Sequence, residues 1–376
     1  MTDMTPDFAD LDARLTRWAT WREIMAQPAI WSAWARAPEL AAARDFVTAL
    51  APDEVWFTGA GSSAYIGEMV VAGLEGQSGP RLRAVATTDI VARPQAYLRG
   101  KRPLIVSFGR SGNSAETLGT LDALDALAPA APRLNITCNG ESALAKRHGT
   151  GADFTLVLPA ATHDAGFAMT SSLTTMLLSA LYVFNARQGI ARGAGQDTGP
   201  ITRAAETAAQ VLPVFAEHAA GLARPTRAVF VGSGAMAFAS RESALKVMEL
   251  TAGGIPCLWD SALGFRHGPK SFVCAGTAVF ILASPEDPAA RYEADLAAEL
   301  RAQYPDATVT VIGPAGDLAL PMPDGAAWGA PLAVLYAQAL GVILSDGEGR
   351  DVDDPFKGQG TLSRVVAGVK LYPVQA

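Results

Sequence analysis

The chain is poor in cysteine, in histidine and in clustered positive charge, and each shortage closes off a class of function. Thirty Lys and Arg stand against 37 Asp and Glu, a formal net charge of −7. No Lys/Arg-rich run occurs, so nucleic-acid binding has no electrostatic footprint. Cys138, Cys257 and Cys274 have no CxxC spacing. An odd count without a framework excludes a disulfide scaffold and fits a reducing, cytoplasmic setting. Four histidines at unrelated spacings carry no metal signature, and no Gly-x-Ser-x-Gly elbow is present. Long hydrophobic runs are missing too. Thr277–Ala283 is short and the helix pattern around Met169–Phe184 is broken by Ser and Thr, so neither predicts a membrane span. The opening MTDMTPDFAD is acidic and lacks the apolar core of a signal peptide.

What is present is an alternation. Short β-branched runs at Val55–Thr58, Leu104–Phe108, Leu134–Cys138, Phe154–Leu158, Ala228–Val231, Ala278–Leu282 and Thr308–Ile312 are separated by helical patterns. That order predicts an α/β protein whose parallel sheets carry helices on both faces. Two stretches match each other. EVWFTGAGSSAYIGE (54–68) and RAVFVGSGAMAFASRE (227–242) each read strand, Gly-x-Gly, helix, with Gly59 and Gly61 matching Gly232 and Gly234 at one offset. Similarity at domain length predicts duplication of a doubly wound, flavodoxin-like unit. The expected division is a helical lead-in over 1–35, rich in packing tryptophans, a first unit over 36–195 and a second over 200–376. The linker is expected near 187–199.

Two regions carry chemistry. SFGRSGNSAET (107–117) follows the strand pattern PLIVSF and opens a helix over Ser114–Leu127. Backbone N–H groups, the hydroxyls of Ser111 and Ser114 and the helix N-terminus can close on an anion there, although Asn113 or Ser114 serves equally as a plain N-cap. GAGSS (59–63) ends a strand at the same edge of the sheet, where open α/β sheets bind ligands. Ala64 stands where a dinucleotide fingerprint needs its third glycine, which ranks phosphate above a nicotinamide cofactor. In the second half, RESALKVMELTAG (241–253) sets Glu242, Lys246 and Glu249 on one helix face. SALGFRHGPKSF (261–272) then gathers Arg266, His267 and Lys270 in a Gly/Pro loop. His163 heads HDAGFAMTSS (163–172), either beside a helix cap or as a second wall of the pocket; His148 reads as structural and His218 has no evident partner. Asp351–Lys357 is a lid or a tether.

These segments, with ITCN (136–139), resemble the sugar-isomerase (SIS) domain superfamily. HDAGFAMTSS, DSALGFRHGPKS, RVVAGVKLYP and WREIMAQPAIW resemble more closely its galactosamine-6-phosphate deaminase/isomerase branch, and the likeness runs over nearly the whole chain. The resemblance implies tandem SIS domains related to the isomerase domain of glucosamine-6-phosphate synthase. It implies Glu249 as the base moving a proton between C1 and C2, His267 as the ring-opening histidine, often lent across a dimer interface, and Glu242 and Lys246 as polar neighbours. Implied phosphate and substrate contacts are Ser62 and Ser63 of the first loop, Ser107, Arg110, Ser111, Asn113, Ser114 and Thr117 of the second, and Thr170.

The reaction so implied converts a 2-amino-2-deoxyhexose 6-phosphate, with galactosamine 6-phosphate favoured, to tagatose 6-phosphate and ammonia. No cofactor and no metal are implied; the partners implied are a small sugar phosphate and further copies of the chain, as a dimer or dimer of dimers, with no nucleic acid or membrane. The sequence as given has no glutaminase segment, and the synthase's C-terminal lysine is replaced within VVAGV (365–369), with Lys370 out of register. Both departures favour release of ammonia over its capture. The alternatives are a plain aldose–ketose phosphate isomerase and, from another class, a non-catalytic sugar-phosphate-binding regulator.

Overall fold

Strands that are apolar on both faces must be covered on both faces, and the chain meets that demand twice. A computed structural model describes residues 7–185 and 199–375; apart from Gly199, the expected linker lies outside the described residues. Helices α1 (Phe8–Leu15), α2 (Ala19–Trp34) and α3 (Pro38–Leu50) lead into β1 (Glu54–Thr58), α4 (Ser62–Gly73), β2 (Arg81–Ala84), α5 (Thr87–Ala92), α6 (Pro94–Leu98) and β3 (Leu104–Gly109). Then follow α7 (Ala115–Leu127), β4 (Arg133–Thr137), α8 (Ala143–Lys146), β5 (Asp153–Val157) and α9 (Ser171–Phe184). The second half runs α10 (Gly199–Gly221), β6 (Arg227–Gly232), α11 (Ala235–Leu250), β7 (Cys257–Ser261), β8 (Thr277–Leu282), α12 (Ala289–Gln303), β9 (Thr308–Gly313), β10 (Leu318–Ala319) and α13 (Ala326–Gly347).

Both sheets are five-stranded, and every strand pair is parallel. The first has the order β2-β1-β3-β4-β5 and the second β7-β6-β8-β9-β10. Renumbered within its own half, each is 2-1-3-4-5, the doubly wound order of flavodoxin-like folds. The repeat extends to the turns. Gly61 and Gly234 sit at φ of +56° and +54°, and a Cβ on Gly59 or Gly232 would strike helix backbone at 2.6 or 2.7 Å. Only glycine admits that strand-to-helix approach.

Strand alternation sorts the core. Phe57, Val106 and Phe108 of the first sheet and Phe230, Phe280 and Leu282 of the second all enter one shared core with α2, α9, α10, α11 and α13. The residues between them, Trp56 and Ile105 in one sheet and Val229, Val231, Val279 and Ile281 in the other, face two outer cores. Trp21 and Trp31 are fully buried, and Trp34 Nε1 donates to Ser179 at 2.9 Å, so the lead-in tryptophans are packing residues. The longest apolar helix is neither stretch singled out above but α13, with a mean hydropathy of 1.6 over its most apolar window and 89% of that window buried. Its apolarity is that of a core helix.

Helices α4 and α11, equivalent in the two halves, pack on one another. Arg241 pairs with Glu68 and lies over the rings of Tyr65, at 4.2 Å, and Trp259, at 5.1 Å. Glu68 and Arg241 are 173 positions apart, the same offset as Gly59 from Gly232. The pair therefore lies on the pseudo-twofold axis, where two identical units would set like charges face to face.

After α13 the chain returns to the first half. Asp353 accepts from Ala19 N, Thr20 N and Thr20 Oγ1 at 2.7–2.8 Å, and Phe356 packs on Phe167 with centroids 5.1 Å apart. The stretch 351–357 is thus a tether. Further along, Val366 O accepts from Ala115 N at 3.2 Å, at the first residue of α7.

Candidate active site

Helix α11 starts at the carboxyl edge of the second sheet and carries its polar face toward the first half. Glu242 and Lys246 are both fully buried, and Glu249 is 16% exposed. Lys246 Nζ lies 3.1 Å from Glu242 Oε1 and also bonds Glu249. Burial works against the ammonium, yet the two carboxylates outweigh it and raise the Lys246 pKa. Burial pushes Glu242 up to about 7, against the lowering effect of Lys246. Ser62 Oγ, at the start of α4, donates to Glu242 Oε1 at 3.0 Å, so the first half completes a network that the second half begins. An exposed salt-bridged stripe, the ordinary reading of such spacing, is excluded by this burial.

The other wall is built by loops at the carboxyl edge of the first sheet. The backbone of Gly109–Ser114 folds tightly: Gly112 has φ of +64°, and a Cβ there would lie 2.3 Å from Ser142 Oγ. Asn113 N donates to Ser111 Oγ at 3.3 Å, and Asn139 Nδ2 donates to Ser111 O at 3.2 Å. Ser111 is part-buried and Asn113 exposed. Ser114 is the N-cap of α7, accepting from Thr117 N at 3.4 Å and sharing a bond with Thr117 Oγ1 at 2.9 Å. Asn113 Oδ1 caps α8 by accepting from Ala143 N at 2.9 Å. Ser107, on the strand that leads into this loop, and Ser63 are both buried, and Ser63 Oγ touches Met169 Sδ at 3.8 Å.

Two of the sequence-predicted contacts also hold the loops together through hydrogen bonds within the chain. The Arg110 guanidinium is buried and donates to the carbonyls of Phe167, Ala168 and Arg364 at 2.9–3.1 Å, holding loop and tail together. Burial pulls it below its ordinary pKa, although Asp164 and Glu249 lend it opposing negative charge. Glu249 of α11 thus bears electrostatically on the guanidinium that grips these loops. Thr170 is likewise engaged, donating through N and Oγ1 to Asp164 at 2.9 Å. Asp164 also accepts from Ser171 N and Ser172 N, and is the buried cap of α9.

His267 stands apart from these groups within the chain. It ends a 3-10 turn over Gly264–His267, is exposed, and makes no hydrogen bond among the described residues. Arg266 and Lys270, grouped with it above, both pair with Glu299 of α12 and anchor the turn. One residue not named as a site candidate from the sequence grips the same loop as Arg110. Arg364 on the tail donates from Nε to Gly166 O at 3.0 Å and bears electrostatically on Arg110 and His163. It heads RVVAGVKLYP (364–373), a segment the family resemblance already marked without assigning this residue a role.

The second sheet has no matching anion loop. By strand register and helix start, Arg110–Ser114 corresponds to Ser284–Pro288, which reads SPEDP. Pro285 and Pro288 have no N–H to offer, and Glu286 and Asp287 repel anions. Ser284 N already donates to the buried Glu293 at 2.6 Å. Among the described residues, no three His, Cys, Asp or Glu stand together as a metal site.

The arrangement thus joins one hydroxyl- and amide-rich loop to one buried acid–base network, with elements from both halves. No family model matches the chain. It is 40% identical over 332 residues, 85% of each chain, to the D-galactosamine-6-phosphate deaminase AgaS of Escherichia coli. The chain belongs to the AgaS family of SIS-domain proteins. The crystal structure of tagatose-6-phosphate ketose/aldose isomerase from Escherichia coli superposes with a TM-score of 0.83 at 34% identity, over 96% of this chain and 98% of that one. The C-terminal domain of glucosamine-fructose-6-phosphate aminotransferase from Francisella tularensis shares the fold at 18% identity, with a TM-score of 0.72 over 88% of this chain and 96% of that one. AgaS relatives are sugar-phosphate deaminases and isomerases, and the tandem SIS architecture is theirs.

Proposed function

We propose that the chain converts galactosamine 6-phosphate to tagatose 6-phosphate and ammonia. The observation that carries this reading is the buried network Ser62–Glu242–Lys246–Glu249, whose Glu249 bears electrostatically on Arg110 of the Gly109–Ser114 loop. Amides and hydroxyls of Ser111–Ser114, with Ser63, hold the phosphate and leave the sugar chain extended toward α11. Glu249, the least buried of the three charges, removes the C2 proton of the open-chain aldose and returns a proton at C1. Lys246, fixed between two carboxylates, keeps Glu249 oriented. An enolamine forms and becomes a ketimine at C2, whose hydrolysis gives the ketose and ammonia. His267 opens the pyranose ring, and its exposed position supports delivery to the site of a second copy of the chain in a homodimer.

The test is ammonia release by the purified protein from galactosamine 6-phosphate and, in parallel, glucosamine 6-phosphate. Ammonia from the galacto epimer, with ketose phosphate in step, is the expected result. Folded protein that releases none from either would overturn the reading and leave a neutral aldose–ketose isomerase or a non-catalytic sugar-phosphate-binding regulator.

A further inference from the structure

The family resemblance implies Ser62 as a substrate contact, whereas in the structure its hydroxyl is engaged by another group. Ser62 is the first residue of α4, buried behind the turn at Gly59 and Gly61. Its Oγ donates at 3.0 Å to Glu242 Oε1, the same oxygen that Lys246 Nζ meets at 3.1 Å. Glu242 Oε2 has no partner among the described residues. One oxygen therefore carries both bonds, and the hydroxyl fixes the rotation of a carboxylate that holds one side of the Lys246 ammonium. Glu249 holds the other side.

Packing of the two helices does not require that hydroxyl. The offset of 173 positions that relates the halves sets Ala235 against Ser62 and Met69 against Glu242. The pseudo-symmetric positions of α4 and α11 thus carry an alanine and a methionine. Lys246 and Glu249 correspond in the same way to Gly73 and Gly76. All four members of the network are peculiar to one side of the pseudo-twofold axis, so duplication alone does not account for them.

We propose that Ser62 is a positioning residue for Glu249, acting through Glu242 and Lys246 and making no bond to substrate. The inference rests on the reading of Glu249 as the base. With Glu242 ionised and fixed, the ammonium is drawn to both carboxylates, and Glu249 can take the C2 proton. With Glu242 protonated or turned, the ammonium falls wholly to Glu249, and a cation bound there opposes protonation of that carboxylate. Burial pushes Glu242 up to about 7; Lys246 and Ser62 work against that rise, and Glu249 adds to it. Ser62 therefore favours the ionised form. Other titratable groups on the elements packed around Glu242 are engaged elsewhere. On α4, Glu68 pairs with Arg241, which also covers Tyr65. On α13, Asp346 pairs with Arg14 and Arg17, and Tyr336 bonds His218. Arg227 of β6 donates to Phe272 O, Cys257 of β7 to Ile255 O, and Asp260 of β7 accepts from Ser261 N.

Full-length enzyme is given galactosamine 6-phosphate carrying deuterium at C2, and deuterium passing to water is followed together with ammonia from about pH 6 to 9. Ser62→Ala removes one hydrogen bond to a charged group, so kcat should fall about tenfold with KM unchanged. The acid limb of the profile should move to higher pH. Ser62→Thr keeps the hydroxyl and should restore kcat. Glu242→Gln has no charge to titrate and should lose both activity and that limb. A raised KM with kcat unchanged in Ser62→Ala would make Ser62 a substrate contact and overturn the role. So would an unmoved acid limb in either Ser62→Ala or Glu242→Gln, or a Ser62→Thr of unchanged thermal midpoint that works no better than Ser62→Ala. Unsubstituted enzyme that releases deuterium without ammonia overturns the deaminase reading alone, and the role of Ser62 is then read from deuterium; enzyme that releases neither overturns both.

Discussion

Lys246→Met exchanges the buried ammonium for an apolar chain of similar length, leaving Glu242 fully buried without its cation and beside Glu249. Removing one partner of a buried ion pair costs about 3–5 kcal/mol, because the remaining charge is uncompensated. At roughly 2–4 °C per kcal/mol for a unit of this size, the thermal midpoint should fall by on the order of 10 °C. The loss should depend on pH in a definite direction. Glu242 already titrates near 7 in the folded protein, far above its unfolded value of 4.5, and the substitution raises it further. Its protonated form is therefore favoured by folding, and stability falls as pH rises through the interval between the two values. At pH 6 the variant's Glu242 is neutral and the penalty small; at pH 8 folding must either ionise it beside Glu249 or hold its proton against solvent. Differential scanning fluorimetry of both proteins at pH 6 and 8 should show a wider gap at the higher pH. A gap below about 1 kcal/mol, or one equal at both values, would refute the view that Lys246 compensates two carboxylates.

Other perturbations bear on the site and the fold. Glu249→Gln should abolish ammonia release yet leave sugar-phosphate binding by calorimetry largely intact, whereas loss of binding alone would mark Glu249 as a positioning group. Ser111→Ala removes one hydroxyl from the anion loop; a bond to a charged group contributes about 1.5–3 kcal/mol, so KM should rise tenfold or more with kcat little changed. Glu68→Arg sets two cations together on the pseudo-twofold axis and should lower the thermal midpoint, while Glu68→Arg with Arg241→Glu should restore most of it. Failure of the double exchange would show that Arg241 acts through its Tyr65 and Trp259 contacts instead.

The sequence by itself determined the local elements and their repetition. Seven strands were legible because β-branched runs between turn residues have few other ways to bury themselves; β2, β7 and β10 were not, being short or half-exposed edges with little apolar pattern. Gly59 and Gly232 announced the duplicated turn, since a Cβ at either would strike the following helix. The spacing of Glu242, Lys246 and Glu249 put three charges on one face but left open whether that face met water. Only the tertiary structure decided it, by laying α11 against α4 and turning an ordinary surface pattern into a buried network closed by Ser62, 180 residues away. The same holds for Arg110 and Thr170, whose hydrogen-bond partners come from the tail and from Asp164, and for His218, whose partner Tyr336 lies 118 residues on at 2.9 Å. Sequence fixes which groups a segment carries; their exposure and partners depend on what packs over them, and for the α11 network that covering comes from the other half of the chain.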